Sequence, residues 1–433
     1  MTAIRPGRRL GAIERALLLE SSVQPLNLVA AVRLAGPTLR EVLPSALAGL
    51  QVRHPLLRAR IRDVGSRPSF EVLPDVGVIP IQFAERVDET TWIARYEREL
   101  SVGFDVAVAP LARCTYVHGI GDRSELLVAL HHCAIDGVSA DSLLHELLER
   151  CEALLDGRVG SRVDPLALIP AADTLLPVER LGSRGAMQVV RFGAREGAKE
   201  LRDRALSCAG RRPIPPPSAN RVLVSRLSTV DTSAVLGAAR RHGITMTSVL
   251  CAAMLVEVDR RLYRGRRKLL RVVTFADLRP NLRPPVSAHN MGTYVALIRV
   301  SVRVDPNDGL WAVAREVQER LSASLDRGDR FSALRLSAVL ARANVRFPSA
   351  RMADVALSYS PGHRVSLSYG PLRVSELHGC VSNSPTGAEV AAVAGVFDGE
   401  LWFDVPYLGR DLDEQSVKNL VDSVAGLLIE AAR

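Results

Sequence analysis

The chain has 433 residues, of which 47% are hydrophobic and 24% charged, and its formal net charge is +9 at pH 7. This length suits two domains or one unusually large domain, and the composition is that of an ordinary globular protein. Aromatic residues make up only 4% of the chain, and no nucleic-acid-binding motif accompanies the basic residues. We therefore expect no nucleic-acid partner. The six cysteines form no CxxC pair, which argues against a zinc ribbon or a disulfide framework.

The sequence predicts neither a targeting signal nor a membrane span. Glu14 and Glu20 interrupt the stretch that follows the basic N-terminus, so neither a secretory nor a twin-arginine signal fits. The most apolar window, Val249–Val258, reaches about half of the roughly 20 residues that a membrane span needs. The densest basic run, Arg260–Lys268, is interpreted as a solvated loop after a helix. We expect a cytoplasmic protein with no transmembrane segment.

Helices and strands alternate in the prediction for the first part of the chain. Apolar residues at helical spacing predict helices at Ile13–Leu19, Thr38–Arg53 and Ser139–Leu155. Short apolar or alternating segments predict strands at Leu26–Leu34, Ala59–Arg62, Phe70–Leu73, Leu111–His118 and Glu125–Leu130. Ser139 is expected to cap the third helix, and Gly157 is expected to end it.

The pattern weakens between Asp164 and Asn220, where the proline-rich segment Arg211–Ser218 is the clearest linker. We therefore predict an N-terminal half at 1–170, a linker region at 171–220 and a C-terminal half at 221–433. In the C-terminal half, the sequence pattern predicts strands at Arg221–Leu227, Leu270–Phe275 and Tyr294–Val302. It predicts helices at Thr232–Arg241, Thr245–Arg260, Gly309–Ser324 and Asp413–Ala431. Asp398-Gly399 is expected at the tip of a hairpin.

One motif indicates a catalytic site. It is the run His131-His132-Cys133-Ala134-Ile135-Asp136-Gly137, which lies at the end of a predicted strand. Adjacent residues of an extended chain face opposite ways, so only one of the two histidines can look into a given cavity. A metal site made by these two neighbours is therefore geometrically poor. A histidine with a near-neutral pKa beside an Asp-Gly turn favours acid-base chemistry over a purely structural role. Asp136 could orient the loop through a salt bridge with an arginine.

The pattern His-His-x-x-x-Asp-Gly after a strand resembles the signature of the condensation-domain, or CoA-dependent acyltransferase, superfamily. The sequence is most similar to the mycobacterial polyketide-associated acyltransferases of the phthiocerol dimycocerosyl transferase type, which share the pattern His-His-Cys-x-x-Asp-Gly. Further segments fit this family in the same order, namely Arg53–Arg58, Ser228–Ala253, Asp277–Arg279 and Phe397–Gly399.

The resemblance implies a mixed α/β (α+β) fold with two chloramphenicol-acetyltransferase-like halves in a V and an active-site tunnel between them. It also implies that His132 is the catalytic residue and acts as a general base. The residues with structural roles at the active site would be His131, Asp136, Gly137 and Arg279. Arg279 is the expected partner of Asp136, and Arg283 is near enough in sequence to compete. No metal is expected.

The same resemblance defines the expected substrates. The donor would be acyl-CoA or a phosphopantetheinyl acyl carrier protein, and no cofactor would be bound permanently. The acceptor would be an alcohol or amine on a lipid, polyketide or peptide natural product. A monomer suffices because two halves of one chain already make the site. The acyl chain, the acceptor, the choice between ester and amide, and the choice between CoA and carrier stay open.

Three alternatives remain within or beside this family. Val355–Gly362 resembles the Ser-Asn-x-Pro-Gly segment of wax ester synthases and diacylglycerol acyltransferases, although Tyr359 replaces the asparagine. A stand-alone peptide-synthetase condensation enzyme is a second alternative. A non-catalytic, condensation-like recruitment domain is the third, and the intact His132, Asp136 and Gly137 argue against it. A serine hydrolase is disfavoured because the chain has no Gly-x-Ser-x-Gly elbow.

Overall fold

Two six-stranded sheets, each packed against helices, organise the chain, and a smaller three-stranded sheet joins the core of the first. The computed structural model describes residues 7–119, 121–158, 163–204, 217–265, 269–305, 308–346 and 351–433. The predicted mixed α/β fold class, with two halves that each combine a sheet and helices, is confirmed.

The first sheet places its central strand β7 between two layers of helices. The elements up to residue 155 are β1 (Gly7–Arg9), α1 (Ala12–Ser21), β2 (Asn27–Ala35), α2 (Leu43–Arg53), β3 (Ala59–Arg62), β4 (Ser69–Val72), β5 (Ile81–Glu85), α3 (Thr91–Ser101), β6 (Ala112–His118), β7 (Arg123–His131) and α4 (Gly137–Leu155). On one face of β7, Leu127 and Ala129 join the cluster that includes residues of α3. On the other face, Val128 and Leu130 join the core that includes α4. The near-continuous apolar run in β7 follows because both of its faces are covered.

The second sheet has the strand order β10, β9, β11, β14, β15, β8. The remaining elements are α5 (Gly182–Arg204), β8 (Asn220–Leu227), α6 (Thr229–Arg241), α7 (Met246–Arg261), β9 (Leu269–Asp277), β10 (Val295–Arg303), α8 (Leu310–Asp326), α9 (Asp329–Arg346), β11 (Ala353–Ser360), β12 (Ser368–Tyr369), β13 (Leu372–Val381), β14 (Ala388–Phe397), β15 (Glu400–Leu408) and α10 (Glu414–Ala432). Every residue of α7 from Ser248 to Asp259 is buried. This burial explains the most apolar window of the sequence.

Strands β12 and β13 lie in the first sheet although they follow the second half of the chain. The order of the first sheet is β12, β13, β2, β7, β6, β5, and β13 pairs antiparallel with β2 from Arg373 to Val381. Helix α1 likewise packs against α9. The division of the chain into halves at 171–220 stays a prediction, and these two strands do not follow it.

Most of the predicted elements are present, with their ends shifted. Asp398 and Gly399 have φ values of 48° and 77° between β14 and β15, so the predicted hairpin tip is confirmed. Helix α2 begins at Leu43 instead of Thr38. Pro44 accounts for this start, because a proline in the first turn lacks an amide hydrogen that no helical bond needs there.

Eight of the described helices and strands were not predicted, namely β1, β5, α3, α5, α9, β11, β12 and β13. The 23-residue helix α5 lies in the interval where the sequence pattern weakens. Most of its described side chains are exposed, so its apolar residues do not form the single buried face that identifies a helix from sequence. The N-cap of helix α3 is Thr90, a residue type that can cap a helix, but its side chain makes no capping hydrogen bond.

Two predicted segments extend beyond the described residues. Of the predicted linker Arg211–Ser218, only Pro217 and Ser218 are described. Of the basic run, residues 266–268 are outside the described residues, while Arg260 and Arg261 lie at the end of α7 and pair with Glu257.

No single helix in the described ranges is both long and apolar enough to cross a bilayer. Helices α6 and α7 meet the length and composition criteria only when taken together, with a bend of 106° between them.

A buried histidine connects the two sheets. His378 on β13 is 3% exposed, and its Nδ1 lies 3.0 Å from Asp404 Oδ1 on β15. Its Nε2 lies 3.3 Å from Glu376 Oε2, and its ring centroid is 4.9 Å from that of Trp92 and 4.8 Å from that of Trp402. Burial alone would lower the pKa of His378, but Asp404 and Glu376 outweigh it and raise the pKa to about 9. His378 is therefore an imidazolium at neutral pH.

The raised pKa of His378 predicts that the protein loses stability in mild alkali. The pKa of His378 is about 9 in the folded protein and ordinarily 6.5. The stabilisation that protonated His378 gives the folded state is therefore complete below about pH 6.5 and is lost as the pH rises through 9. The loss should approach ~3 kcal/mol at ~1.4 kcal/mol per pKa unit. Urea unfolding of the wild type and of His378→Gln from pH 6 to pH 10 measures it. The wild-type free energy of unfolding should fall more steeply than that of the variant, and parallel profiles would contradict the prediction.

Candidate active site

The His-His pair lies where β7 ends, and its two members have different environments. His131 is the last residue of β7 and is 2% exposed, and its Nδ1 accepts a hydrogen bond from the Cys133 amide at 3.2 Å. Burial, with a contribution from the neighbouring His132, lowers the pKa of His131 to about 4. His131 is therefore neutral and packed in the interior.

His132 begins a short 3-10 turn, His132–Ala134, and is half-buried. Its Nδ1 lies 2.8 Å from the carbonyl oxygen of Ile135. A carbonyl can only accept, so Nδ1 carries the hydrogen and Nε2 keeps its lone pair. Burial lowers the pKa of His132, although the Ile135 carbonyl and the charge of Asp136 act in the opposite direction. The ring is neutral at pH 7, with Nε2 able to take a proton.

Asp136 caps helix α4, which corrects the prediction that Ser139 is the cap. Asp136 Oδ1 accepts the amide hydrogen of Ser139 at 2.9 Å, the bond that an N-cap side chain makes with the third helical residue. The prediction placed the helix start too late because Gly137 reads as a turn residue. In the structure Gly137 is the first helical residue, is exposed, and has no positive φ. A Cβ built at Gly137 would meet no atom within 4 Å.

Arg279 holds Asp136 through two parallel hydrogen bonds. Arg279 Nη1 lies 2.8 Å from Asp136 Oδ2, and Nη2 lies 2.9 Å from Oδ1. The two side chains are 3% and 1% exposed. Burial alone would raise the pKa of Asp136, but the charge and hydrogen bonds of Arg279, with the amides of Ser139 and Tyr294, hold it below its ordinary value. Arg283 instead donates to the carbonyls of Pro280 and Leu282.

A loop of the second half, residues 290–294, contacts the segment His132–Asp136 from the other side. The Asp136 amide donates to the Gly292 carbonyl at 3.1 Å, and the Tyr294 amide donates to Asp136 Oδ2 at 2.8 Å. Thr293 Oγ1 donates to the Cys133 carbonyl at 3.1 Å. Ser139 Oγ accepts from Arg279 Nη2 at 2.6 Å. No sequence signal marks this loop, because most of these contacts use main-chain atoms.

A second charged contact joins the same loop region to α4. Glu146 Oε2 lies 2.9 Å from His54 Nε2 and 2.8 Å from Arg53 Nε, while its Oε1 lies 2.9 Å from His289 Nδ1. Burial alone would raise the pKa of Glu146, but hydrogen bonds with the two histidines and the charge of Arg53 lower it to about 2. The sequence marked Arg53–Arg58 only as a family-like segment and did not connect it to α4. In the described ranges, no three His, Cys, Asp or Glu side chains are arranged to hold a metal ion.

Cys133, the thiol next to His132, is inaccessible. It is 0% exposed and belongs to the core of the first half. Burial raises its pKa well above the ordinary value of a thiol. A neutral, enclosed thiol is a poor nucleophile, since the thiolate is the reactive form.

Two family models match successive parts of the chain. The condensation domain model matches residues 18–162, which contain the His-His run and Asp136. The model of the phthiocerol/phthiodiolone dimycocerosyl transferase C-terminus matches residues 216–358, which contain Arg279 and the loop at 290–294. The chain is thus similar to condensation domains and to dimycocerosyl transferases over these two segments. The family resemblance inferred from the sequence is thus confirmed.

Comparisons with individual proteins agree with this family. N-(5-amino-5-carboxypentanoyl)-L-cysteinyl-D-valine synthase of Amycolatopsis lactamdurans is 27% identical over 324 residues, which are 72% of this chain and 8% of that protein. The chain spans at most 8% of the length of the curated relatives that it matches.

Two solved structures share the fold of the chain over nearly its whole length. Polyketide synthase associated protein 5 from Mycobacterium tuberculosis is 18% identical, with a TM-score of 0.71 and 99% of each chain covered. TRI3 trichothecene 15-O-acetyltransferase from Fusarium sporotrichioides is 14% identical, with a TM-score of 0.79, 99% of this chain and 96% of that chain covered. At these identities the likeness is one of fold.

The Asp136–Arg279 pair predicts a large loss of stability when one partner is removed. Arg279→Ala leaves the buried Asp136 carboxylate without its charged partner, and Asp136→Ala leaves Arg279 with only Asp277, 3.2 Å from its Nη1. Either loss should cost about 3–5 kcal/mol. Urea unfolding of both variants and of the double variant measures the loss. The double variant should lose less than the sum of the single losses. The exposed Arg283 supplies the control, because Arg283→Ala should change stability by less than about 0.5 kcal/mol. An Asp136→Ala protein as stable as the wild type would contradict the prediction.

Proposed function

We propose that the protein is an acyltransferase that moves an acyl group from a CoA or carrier-protein thioester to a hydroxyl or amine of a lipid, polyketide or peptide natural product. The observation that carries this proposal is the state of His132. Its Nδ1 hydrogen is held by the Ile135 carbonyl and burial lowers its pKa, so Nε2 is a free base at neutral pH. The similarity to condensation domains and dimycocerosyl transferases supports the same chemistry.

In the proposed mechanism, His132 Nε2 accepts the proton of the hydroxyl or amine as that group attacks the thioester carbonyl. The resulting tetrahedral species expels the thiolate as the C–S bond breaks, and the thiolate then takes the proton from Nε2. Throughout, the Ile135 carbonyl keeps the Nδ1 hydrogen and stabilises the imidazolium that forms. A base fixed in one tautomer and orientation needs no rearrangement during the reaction.

The other residues of the His-His-x-x-x-Asp-Gly motif, together with Arg279, would position His132 without touching substrate. His131 would fill the interior behind the loop, as its burial suggests. Asp136 and Arg279 would fix the start of α4 and hence the Ile135 carbonyl. Gly137 would leave open the space at the N-terminus of α4, where a Cβ has no protein neighbour. A tunnel between the two halves, expected from the family resemblance, would bring donor and acceptor to this place.

The proposed transfer is direct, with no acyl-enzyme intermediate. Cys133 is the thiol nearest His132 in sequence, and its full burial and raised pKa keep it out of reach of a thioester. Donor and acceptor would therefore occupy the enzyme together. The wax ester, diacylglycerol and peptide-condensation alternatives differ from the proposal in acceptor and product, so an acceptor panel separates them.

The base role of His132 predicts that His132→Ala lowers turnover by about 100-fold or more and leaves the fold intact. The assay incubates the protein with acyl-CoA or acyl-carrier thioesters and a panel of alcohols and amines, and mass spectrometry identifies the ester or amide. His131→Ala is the matched control, because it should chiefly lower the free energy of unfolding. Near-wild-type turnover by His132→Ala would refute the assignment, and affinity without turnover in the wild type would indicate a recruitment domain.

Direct transfer predicts sequential kinetics. When both substrate concentrations are varied, double-reciprocal plots should intersect, because a ternary complex must form before either product leaves. Intact-protein mass spectrometry with donor alone should show no stable mass increase, and Cys133→Ala should keep most of the wild-type turnover. Parallel plots together with stoichiometric acylation of the protein would overturn the mechanism even if the reaction itself were confirmed.

A further inference from the structure

Two arginines lie against one phenylalanine ring where α8 is followed by α9. Arg180 is the last residue of a short 3-10 turn, Val178–Arg180, and Arg330 is the second residue of α9. The guanidinium carbon of Arg180 lies 5.0 Å from the ring centroid of Phe331, and that of Arg330 lies 4.8 Å from it. Both distances are within the range of a cation–π contact. We call Arg180, Arg330 and Phe331 the arginine cluster.

The turn between the two helices also positions both guanidinium groups. Gly328 has a φ of 71°, and a Cβ built there would lie 2.5 Å from Arg180 Nη2, so Arg180 lies directly against the glycine backbone. Arg330 Nη1 donates to the Leu325 carbonyl at 3.4 Å, and the same carbonyl accepts the Gly328 amide at 2.9 Å. Arg335 Nη1 donates to the Arg180 carbonyl at 3.1 Å. The protein therefore holds both charges of the cluster at one turn.

Neither charge of the cluster has a carboxylate partner in the described ranges. Arg180 Nη1 donates to a neutral group, Gln188 Oε1, at 3.1 Å. Arg330 Nε is buried and has no hydrogen-bond partner among the described residues. Asp329, next to Arg330 in the chain, pairs with two other arginines. Glu179, next to Arg180, is exposed and forms no ion pair with the cluster. The cluster thus lacks the negative charge that would balance it.

Each charge of the cluster makes the other less favourable. Burial lowers the pKa of Arg330, and the like charge of Arg180 lowers it further. Salt does not remove this repulsion, because electrostatic interactions extend about 10 Å at an ionic strength of 0.1 M and both groups lie on the same ring. An arginine cannot release its proton in a protein. A bound anion would therefore offset the repulsion.

The number of charges and the shape of the guanidinium groups select the kind of anion. A guanidinium binds an oxyanion through two parallel N–H donors, which match the oxygens of a carboxylate or a phosphate. A carboxylate carries one negative charge and offsets one arginine. A phosphate monoester carries a charge of about −1.5 to −2 at pH 7 and has three strong acceptor oxygens, so it can pair with both arginines.

We propose that the arginine cluster is a binding site for a phosphate group, supplied by inorganic phosphate or by a phosphomonoester. This proposal does not depend on the proposed function, because it invokes no step of acyl transfer. Phe331 belongs to an apolar cluster that also contains Leu278 and Tyr294. Leu278 precedes Arg279 in the chain, and the Tyr294 amide donates to Asp136. Binding at the arginine cluster should therefore stabilise the region that carries Arg279.

Isothermal titration calorimetry with inorganic phosphate, at about pH 7 and fixed ionic strength, tests the site. We expect saturable binding to the wild type that sulfate weakens by competition and that an equal ionic strength of chloride does not. Arg180→Gln and Arg330→Gln should each raise Kd about 10-fold or more, because each removes one charged donor group. Arg342→Gln is the matched control, since Arg342 is exposed and lies about 18 Å further along α9. If a glutamine variant does not fold, Arg330→Lys takes its place and should also bind more weakly.

Urea unfolding separates a binding role from a packing role. Phosphate should raise the free energy of unfolding of the wild type, because a ligand that binds only the folded state stabilises it. This gain should be smaller in both cluster variants and unchanged in Arg342→Gln. Arginines that only pack against Phe331 would instead change stability equally with and without phosphate. An equal gain in the wild type and both cluster variants would therefore overturn the proposal.

Three probes separate the possible sources of the phosphate group, namely inorganic phosphate, glycerol 3-phosphate and vesicles that contain phosphatidic acid. Arg330→Gln-sensitive binding of either soluble probe would support a soluble ligand. Arg330→Gln-sensitive binding of the vesicles alone, with no binding to phosphatidylcholine vesicles, would support a lipid headgroup. Binding of none of the three probes would overturn the proposal, as would a loss in Arg342→Gln as large as that in the cluster variants.

Discussion

The bidentate contact between Arg279 and Asp136 is the interaction on which the candidate site depends. It joins the segment after β9 to the N-cap of α4, so it fixes the start of that helix and, one residue earlier, the carbonyl of Ile135. That carbonyl selects the tautomer of His132. The buried Asp136–Arg279 pair thus determines, through the Ile135 carbonyl, that Nε2 is the basic nitrogen of His132. Neither Asp136 nor Arg279 contacts the ring nitrogens of His132. Removal of either charge would disturb the fold and the base together.

Several contacts between the two halves have the same character as this ion pair, because they use buried charge. They lie beside apolar contacts, in which Met291, Phe397 and Trp402 join the core of the first half. Glu146 binds His54 of its own half and His289 of the other. His378 joins Asp404 across the two sheets. A buried charge destabilises the fold unless its partner lies at hydrogen-bonding distance. Such contacts therefore favour the one relative position of the two halves in which each charge is paired, over positions that differ slightly from it. A site built from both halves benefits from this selectivity, since small shifts of position weaken catalysis strongly.

The sequence predicted the fold class, most helices and strands and the position of the His-His run, because these depend on local periodicity and on one compact motif. It also singled out Arg279, because Asp277–Arg279 resembles a segment of the family and the resemblance implies a partner for Asp136 there. It could not predict the roles of Gly292 and Thr293, whose contacts are made largely to main-chain atoms that every residue possesses. Ser139 was misplaced as the cap because sequence shows which residues can cap, whereas geometry decides which one does. Helix α5 was missed because its exposed apolar side does not follow the rule that apolar residues are buried.

The placement of β13 beside β2 has a consequence for recombination. A gene cut within 171–220 would separate the strand that covers the edge of β2 from the sheet that needs it. The first sheet would then present an open edge of unpaired amides and carbonyls, a site for aggregation. Exchange of whole halves between relatives would place foreign strands β12 and β13 in the first sheet. Substitutions in the surface helices and loops would leave the pairing of β13 with β2 intact, whereas recombination of the two halves would not.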